Sequence, residues 1–287
     1  MKLLITGANG FIGKAMLSQL QQHHIFGLVR DAEKSTAPDK VEFISHDFSQ
    51  RLDSKVLPKK IDAVIHLAQS NQYRNFPEGM ADMTSVNIAG LVDILEYARN
   101  AQCQQFINFS SGSVYTTDPS AQSEDTPLKP NSAYPLTKYI AEQITDLYSE
   151  FFITLNVRLF FPYGPGQQNM LIPNIINSVK NGDVIGLQGD TGGLKLCPIY
   201  VDDVVTVVSK CLDNKVDGVM NVGGAESLSL ETLANEIAGV VKQKPVFDID
   251  KKSTPAEFKP NLERLQTLLE GQKLTTFSTG IRNTINA

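Results

Sequence analysis

The chain has 287 residues, 41% of them hydrophobic, which supports a sizeable packed core and argues against wholesale disorder. Its 26 basic and 31 acidic residues leave a formal net charge of −5, which argues against a protein that holds nucleic acid on a broad basic surface. No apolar run reaches the roughly eighteen residues of a membrane span, and the opening MKLLITGANG meets glycine too soon for a secretory signal.

In chain order, a first strand over 2–6 runs through a glycine-rich turn into a helix over 11–22. Strands follow over 25–29, 41–45 and 63–67, rich in Ile, Val, Leu and Phe as buried parallel strands are. A helix over 80–101, a strand over 105–109, a helix over 133–148 and a strand over 153–159 complete the first half. This alternation predicts an α/β fold, a doubly wound parallel sheet with right-handed crossovers. The second half is less regular. Residues 162–166 break the chain, 170–181 read as a helix and 182–193 as loop. A helix over 201–212 and a short strand over 219–222 come next. The helix over 230–241 has Ser229 as N-cap and Thr232 in its first turn. An irregular stretch over 255–260 leads to a helix over 262–269. The expected division is a main α/β domain over 1–165, to which 198–222 returns, and a small lobe from 166–197 and 223–287 over one end of the sheet.

Gly7-Ala8-Asn9-Gly10-Phe11-Ile12-Gly13 follows the first strand at once and opens a helix. The first glycine permits a tight turn, the second lets backbone approach a pyrophosphate, and the third lets helix and strand pack closely. Free N–H groups and the helix dipole then stabilise phosphate. Gly7, Asn9, Gly10, Phe11, Ile12 and Gly13 are therefore expected to bind a dinucleotide. After the second strand, a carboxylate would bind the free 2′-hydroxyl of NAD, whereas an arginine would accommodate the 2′-phosphate of NADP. Arg30 comes first and Asp31 second, which favours NADP(H), with NAD possible. The alternative is a solvated strand exit.

Tyr134 and Lys138 stand four apart at the start of a helix and so share a face. A lysine ammonium beside a phenol is expected to favour phenolate and make Tyr134 a usable acid or base. Upstream, Ser110-Ser111-Gly112-Ser113 ends a strand, where a hydroxyl could bond the same substrate oxygen. Cys103, Cys197 and Cys211 form no CxxC and suit a reduced compartment. The four histidines form no metal-ligand spacing, so no metal site is expected. His66, at a strand end, reads as structural.

With these motifs the chain resembles the extended short-chain dehydrogenase/reductases, in the NAD-dependent epimerase/dehydratase branch. The resemblance rests on GANGFIG at 7–13, His66-Leu67-Ala68, SVNIAG at 85–90, SSGSVY at 110–115, YPLTK at 134–138, RLFFPYGPGQ at 158–167 and PIYVDDV at 198–204. It implies Ser111, Tyr134 and Lys138 as catalytic residues, with Lys138 also binding the nicotinamide ribose. It implies Asp47 and Phe48 beside adenine, Leu67, Ala68 and Gln69 along ribose and diphosphate, and Pro162 against nicotinamide. Asn87 matches a helix asparagine near the cofactor, with a structural role at a helix kink as the alternative. Ser111, Ser113, Phe161, Asn169 and Lys195 are the candidate substrate contacts.

The family's dehydratases follow the catalytic Thr with Asp-Glu; here Gly112-Ser113 stand there, which disfavours dehydration. Arg30 suggests net reduction with an exchangeable cofactor. The expected activity is NADPH-dependent reduction of a nucleotide-activated 4-keto-6-deoxy sugar, of the dTDP type, in surface polysaccharide synthesis. The alternatives are an NAD-dependent C4 epimerase, a reductase of a non-nucleotide ketone or aldehyde, and a dinucleotide binder without turnover. Phe161 replaces an Asn common in enzymes of nucleotide sugars, and only Lys195 keeps a positive charge where they carry Arg-Asp. Cysteine usage, the absence of a long apolar run and the net charge together give the expectation of a cytoplasmic protein with no membrane or nucleic-acid partner. The resemblance allows a homodimer built on the helices 80–101 and 133–148, in which Ile140, Ile144 and Leu147 either line the seam or face the sheet.

Overall fold

The structure, a computed structural model, describes residues 1–33, 35, 40–116 and 118–287. Seven strands make the central parallel sheet. They are β1 (Lys2–Thr6), β2 (His24–Val29), β3 (Val41–Ser45), β4 (Ala63–His66), β5 (Gln105–Ser111), β6 (Ile153–Leu159) and β7 (Gly218–Val222). Their order is β7-β6-β5-β4-β1-β2-β3. The order reverses at β1, whose two neighbours β2 and β4 both run parallel to it. In such a sheet ligands bind beyond the carboxyl ends of the strands at the reversal, and here Gly7 begins immediately after Thr6.

The apolar runs behave as strands buried on both faces must. Leu3, Leu4 and Ile5 of β1, and Val64 and Ile65 of β4, are fully buried. The core on one face joins Leu4, Phe26, Val64 and Phe106 to Leu91, Ile94, Leu95 and Ala98 of the Gly90–Asn100 helix. The helix expected over 80–101 is interrupted: two α-helical segments, Met80–Thr84 and Gly90–Asn100, flank a π-turn over Ser85–Ala89. The next helix, Ala133–Leu147, carries Tyr134 and Lys138. Ile144 packs against this same core, whereas Leu147 is exposed.

The chain divides into two compact units. One comprises Met1–Thr116, Pro127–Arg158 and Val208–Met220; the other comprises Thr117–Thr126, Leu159–Val207 and Asn221–Ala287. The second unit has its own core, in which Ile172, Ile175 and Val179 of the Leu171–Asn181 helix meet Leu233, Ala234 and Ile237 of the Leu230–Val241 helix. The Leu230–Val241 helix starts at Ser229, whose hydroxyl accepts from the Thr232 N–H, as expected.

Several elements differ from the sequence expectation. The stretch over 182–193 holds a strand, Val184–Gln188, paired in parallel with Val246–Asp250. Within 255–260, Phe258–Pro260 forms a short strand against Asp118–Gln122. A final helix, Phe277–Asn286, was not anticipated; its N-cap Thr276 accepts from the Thr279 N–H, and it buries Phe277 and Ile281. Among the described residues, no helix is long and apolar enough to cross a membrane.

Candidate active site

The phosphate loop forms directly from the end of β1. Gly7 has φ +66°, and a Cβ there would meet the Ala68 backbone nitrogen at 3.1 Å. A Cβ on Gly13 would lie 2.5 Å from the Gly7 carbonyl oxygen, so only glycine lets the helix approach the turn this closely. The Gly10 N–H donates to the Gly7 carbonyl at 2.9 Å and closes the turn. The Phe11–Gln19 helix then begins with no side-chain cap and no acidic residue in its first turn. Its first N–H groups and positive dipole end thus suit an anion, and the loop fits a dinucleotide pyrophosphate.

Thr6 braces this turn. Its hydroxyl accepts from the Leu67 and Ala68 N–H groups at 3.1 and 3.0 Å, so its own proton goes to Nδ1 of His66 at 3.0 Å. Burial pushes the His66 imidazole down to about 3, which keeps it neutral in the structural role expected of it. The Asn9 amide donates to Ser35 Oγ at 2.6 Å, and the Ser35 hydroxyl donates to the Asp31 carbonyl at 2.9 Å. These bonds tie the phosphate loop to the exit of β2. Arg30 is exposed at that exit. The Asp47 carboxyl is held below its ordinary range chiefly by the Ser49 backbone N–H, at 2.9 Å, with Arg30 a smaller influence. Phe48 instead turns inward. Its ring packs edge-on to His46 and His66 and lies under Gly90, so only its backbone can serve a ligand.

The Tyr134 centre is built from the end of β5, the loop after β4 and the Ala133–Leu147 helix. Ser111 Oγ accepts from the Ser113 N–H at 3.2 Å and lies 2.9 Å from Ser113 Oγ. The Tyr134 hydroxyl donates to Oε1 of Gln69 at 3.2 Å. The site therefore holds two hydrogen-bonded pairs, Ser111 with Ser113 and Tyr134 with Gln69. Burial pushes the half-buried Tyr134 phenol up to about 12; Ser111 opposes this and the Tyr73 hydroxyl adds to it. The Tyr73 ring centroid is 5.3 Å from that of Tyr134.

Lys138 departs from the sequence expectation. Its ammonium donates to the Phe109 carbonyl at 2.8 Å and lies 5.9 Å from the Tyr134 ring centroid. It does not pull the phenol down here, because burial of the phenol dominates. Burial also brings Lys138 itself down to about 8, against the opposing charge of Glu142. Asn87 lies in the π-turn, with both ends of its amide engaged. Its Oδ1 accepts from the Ser70 N–H at 2.8 Å and its Nδ2 donates to Thr137 Oγ1 at 3.0 Å. It braces the loop after β4 against the helix that carries Tyr134.

The remaining expected residues belong to the second unit. Phe161 and Asn169 both adopt left-handed backbone, φ 44° and 55°, a conformation that costs non-glycine residues energy and concentrates at functional sites. The Phe161 ring meets Phe258 edge-on at 5.5 Å. The Pro162 carbonyl accepts from Gln167 Nε2 at 2.8 Å. Lys195 is half-buried in the two-residue strand Lys195–Leu196, paired antiparallel with Leu228–Ser229. Sequence reasoning missed Thr6, Tyr73 and the buried Glu142–Arg158 pair. Glu142 was findable as the next residue on the Tyr134–Lys138 face, four further along.

Comparison with known proteins agrees with this geometry. Residues 3–223 match the family model described as NAD dependent epimerase/dehydratase family. The chain is 28% identical over 274 residues to dTDP-4-dehydro-6-deoxyglucose reductase from Escherichia coli, covering 85% of this chain and 83% of that one. It is 29% identical over 311 residues to UDP-glucose 4-epimerase from Mycolicibacterium smegmatis, covering 99% and 97%. The crystal structure of UDP-glucuronic acid 4-epimerase from Bacillus cereus in complex with UDP-glucuronic acid and NAD is similar with a TM-score of 0.86. That similarity comes at 25% identity and covers 100% of this chain and 98% of the other. The chain belongs to the NAD dependent epimerase/dehydratase family, as an NAD(P)-dependent enzyme of the oxidoreductase and epimerase kind.

Proposed function

We propose that this enzyme reduces the ketone of a nucleotide-activated 4-keto-6-deoxy sugar of the dTDP type, with NADPH as cofactor. The observation that carries the reading is the geometry around Tyr134, whose hydroxyl donates to Gln69 Oε1 at 3.2 Å, in a centre that also holds the paired Ser111 and Ser113 hydroxyls. A phenol held near 12 that donates a hydrogen bond is a proton donor across the neutral range, and reduction of a ketone needs a proton donor at the oxygen. In this scheme Ser111 and Ser113 orient the carbonyl oxygen, Tyr134 turns its proton from Gln69 to that oxygen, and Lys138 holds the nicotinamide ribose. The glycine loop and the start of the Phe11–Gln19 helix bind the pyrophosphate, Arg30 the 2′-phosphate, and Asp47 with the backbone of Phe48 the adenine end. Leu67, Ala68 and Gln69 line the cofactor along ribose and diphosphate. Bound NADPH supplies the hydride. The similarity to the E. coli reductase supports this assignment.

A second reading, C4 epimerisation of a UDP-sugar with retained NAD, is favoured by the similarity to the M. smegmatis and B. cereus epimerases. The deciding experiment incubates purified enzyme with dTDP-4-keto-6-deoxyglucose and NADPH or NADH and follows absorbance at the nicotinamide band. Steady NADPH oxidation by the wild type that Tyr134→Phe abolishes supports the reductase. No oxidation of either cofactor, with UDP-sugars interconverted by enzyme isolated with NAD bound, supports the epimerase.

A further inference from the structure

Three consecutive residues at the end of β5 engage three successive turns of the helix that carries Tyr134. Ser111 acts on the Tyr134 phenol and opposes the effect of its burial, and the Phe109 carbonyl accepts from Lys138 Nζ at 2.8 Å. The Ser110 hydroxyl donates a short hydrogen bond to Glu142 Oε1. Tyr134, Lys138 and Glu142 are spaced four apart, so all three point to the same strand. Strand β6, the neighbour of β5, completes the arrangement. Arg158 donates from Nε to both Glu142 carboxylate oxygens at 3.2 Å and from Nη2 to Oε2 at 2.8 Å. Its Nη1 donates to the Tyr115 hydroxyl at 2.6 Å, with the guanidinium 4.9 Å from the Tyr115 ring centroid. The side chains of Arg158 and Glu142 are 5% and 1% exposed. A buried pair of this kind seldom adds stability over apolar packing, so its presence beneath a reactive centre calls for another role.

We propose that Ser110, Glu142 and Arg158 form a buried anchor that fixes the register of the catalytic helix on β5 and supplies the counter-charge to Lys138. They are positioning residues, and the proposal rests on the reading of Ser111, Tyr134 and Lys138 as the catalytic set. The groups facing Lys138 are limited. Among the described residues these are the Tyr134 ring and Glu142 from its own helix and the neutral His66 from β4. Asp146, one turn further along the helix, and Arg158 of β6 act on Glu142. Glu142 is the carboxylate that sustains the Lys138 ammonium against burial.

The test reads Lys138 directly in the full-length protein. The lysine side chains are labelled with carbon-13 at Cε, the Lys138 resonance is assigned by its loss in Lys138→Met, and its titration is followed by NMR. Glu142→Gln should lower the midpoint by about one pH unit or more. Should this variant fail to fold around an unpaired Arg158, the pair Glu142→Gln with Arg158→Met removes both charges together and should still lower the midpoint, by less, because a repelling guanidinium goes with the attracting carboxylate. A midpoint equal to wild type in a folded variant overturns the counter-charge role. Ser110→Ala keeps the ion pair. With NADPH and dTDP-4-keto-6-deoxyglucose it should lose about tenfold in kcat with little change in KM, the split expected when a catalytic set shifts register; an unchanged kcat overturns the register role. Turnover by Tyr134→Phe at the wild-type rate would remove the catalytic reading and leave the Lys138 titration standing as a separate result.

Discussion

Burial favours the neutral form of both Tyr134 and Lys138, but the two side chains meet it differently. The phenol moves up to about 12 and stays protonated, while the ammonium moves down to about 8 and sits near its own titration at physiological pH. A lysine is charged below its pKa and neutral above it, so NADPH binding should be flat below pH 8 and weaken as pH rises through about 8. Fluorescence titration of NADPH across that range checks this, and Lys138→Met should remove the dependence. Arg30 makes a different prediction. If it reads the 2′-phosphate, Arg30→Ala should weaken NADPH by roughly tenfold or more, the value of a lost charge-assisted contact, and leave NADH unchanged. Calorimetry with both cofactors decides; equal loss for the two would assign Arg30 to the solvated exit of β2.

At the scale of elements, the turn between β1 and its helix is the tightest local constraint. Gly13→Ala would put a methyl group 2.5 and 2.6 Å from the carbonyl oxygens of Gly7 and Ala8. It should weaken both cofactors by more than about tenfold and lower the melting temperature. Gly239, in the Leu230–Val241 helix, has nothing within 4 Å of an added Cβ, so Gly239→Ala should leave binding intact and stabilise by up to ~1 kcal/mol. This turn was legible because strand, glycines and helix are contiguous in sequence. The same holds for β1, β3, β6 and the Leu230–Val241 helix, whose apolar runs and caps are local signals. The π-turn at Ser85–Ala89 was not legible. It depends on Asn87 reaching Ser70 and Thr137, contacts that form only once loop and helix meet.

Across the whole molecule, the elements that sequence reasoning missed are those whose partners lie far along the chain. Val184–Gln188 alternates exposed and buried residues, yet its partner Val246–Asp250 lies some sixty residues on. Asp118–Gln122 pairs with Phe258–Pro260 across an even longer gap. Short strands of this kind gain their stability from pairing rather than propensity. The candidate site divides the same way. Ser111, Tyr134, Lys138 and the glycine loop were found by motif, whereas the Glu142–Arg158 pair needed the packing of helix on sheet to be seen. His66 supplies a global test. Buried and neutral, with a folded pKa of about 3 against 6.5 unfolded, it contributes stability that is fully present above about pH 6.5. That stability is lost as pH falls toward 3, at ~1.4 kcal/mol per pH unit. Chemical denaturation at stepped pH should show this slope, and His66→Gln should flatten it while costing stability at neutral pH.

The most direct test of the central claim is hydride delivery itself. Enzyme is mixed with dTDP-4-keto-6-deoxyglucose and NADPH carrying deuterium at the transferable position, and the product is examined by NMR. The account predicts deuterium at C4 of a single 4-hydroxy product formed by the wild type, with loss of product in Tyr134→Phe by a factor of about 10² or more. Unlabelled sugar, or label-free interconversion of C4 epimers with no NADPH consumed, would contradict it and place the enzyme among the epimerases of its family.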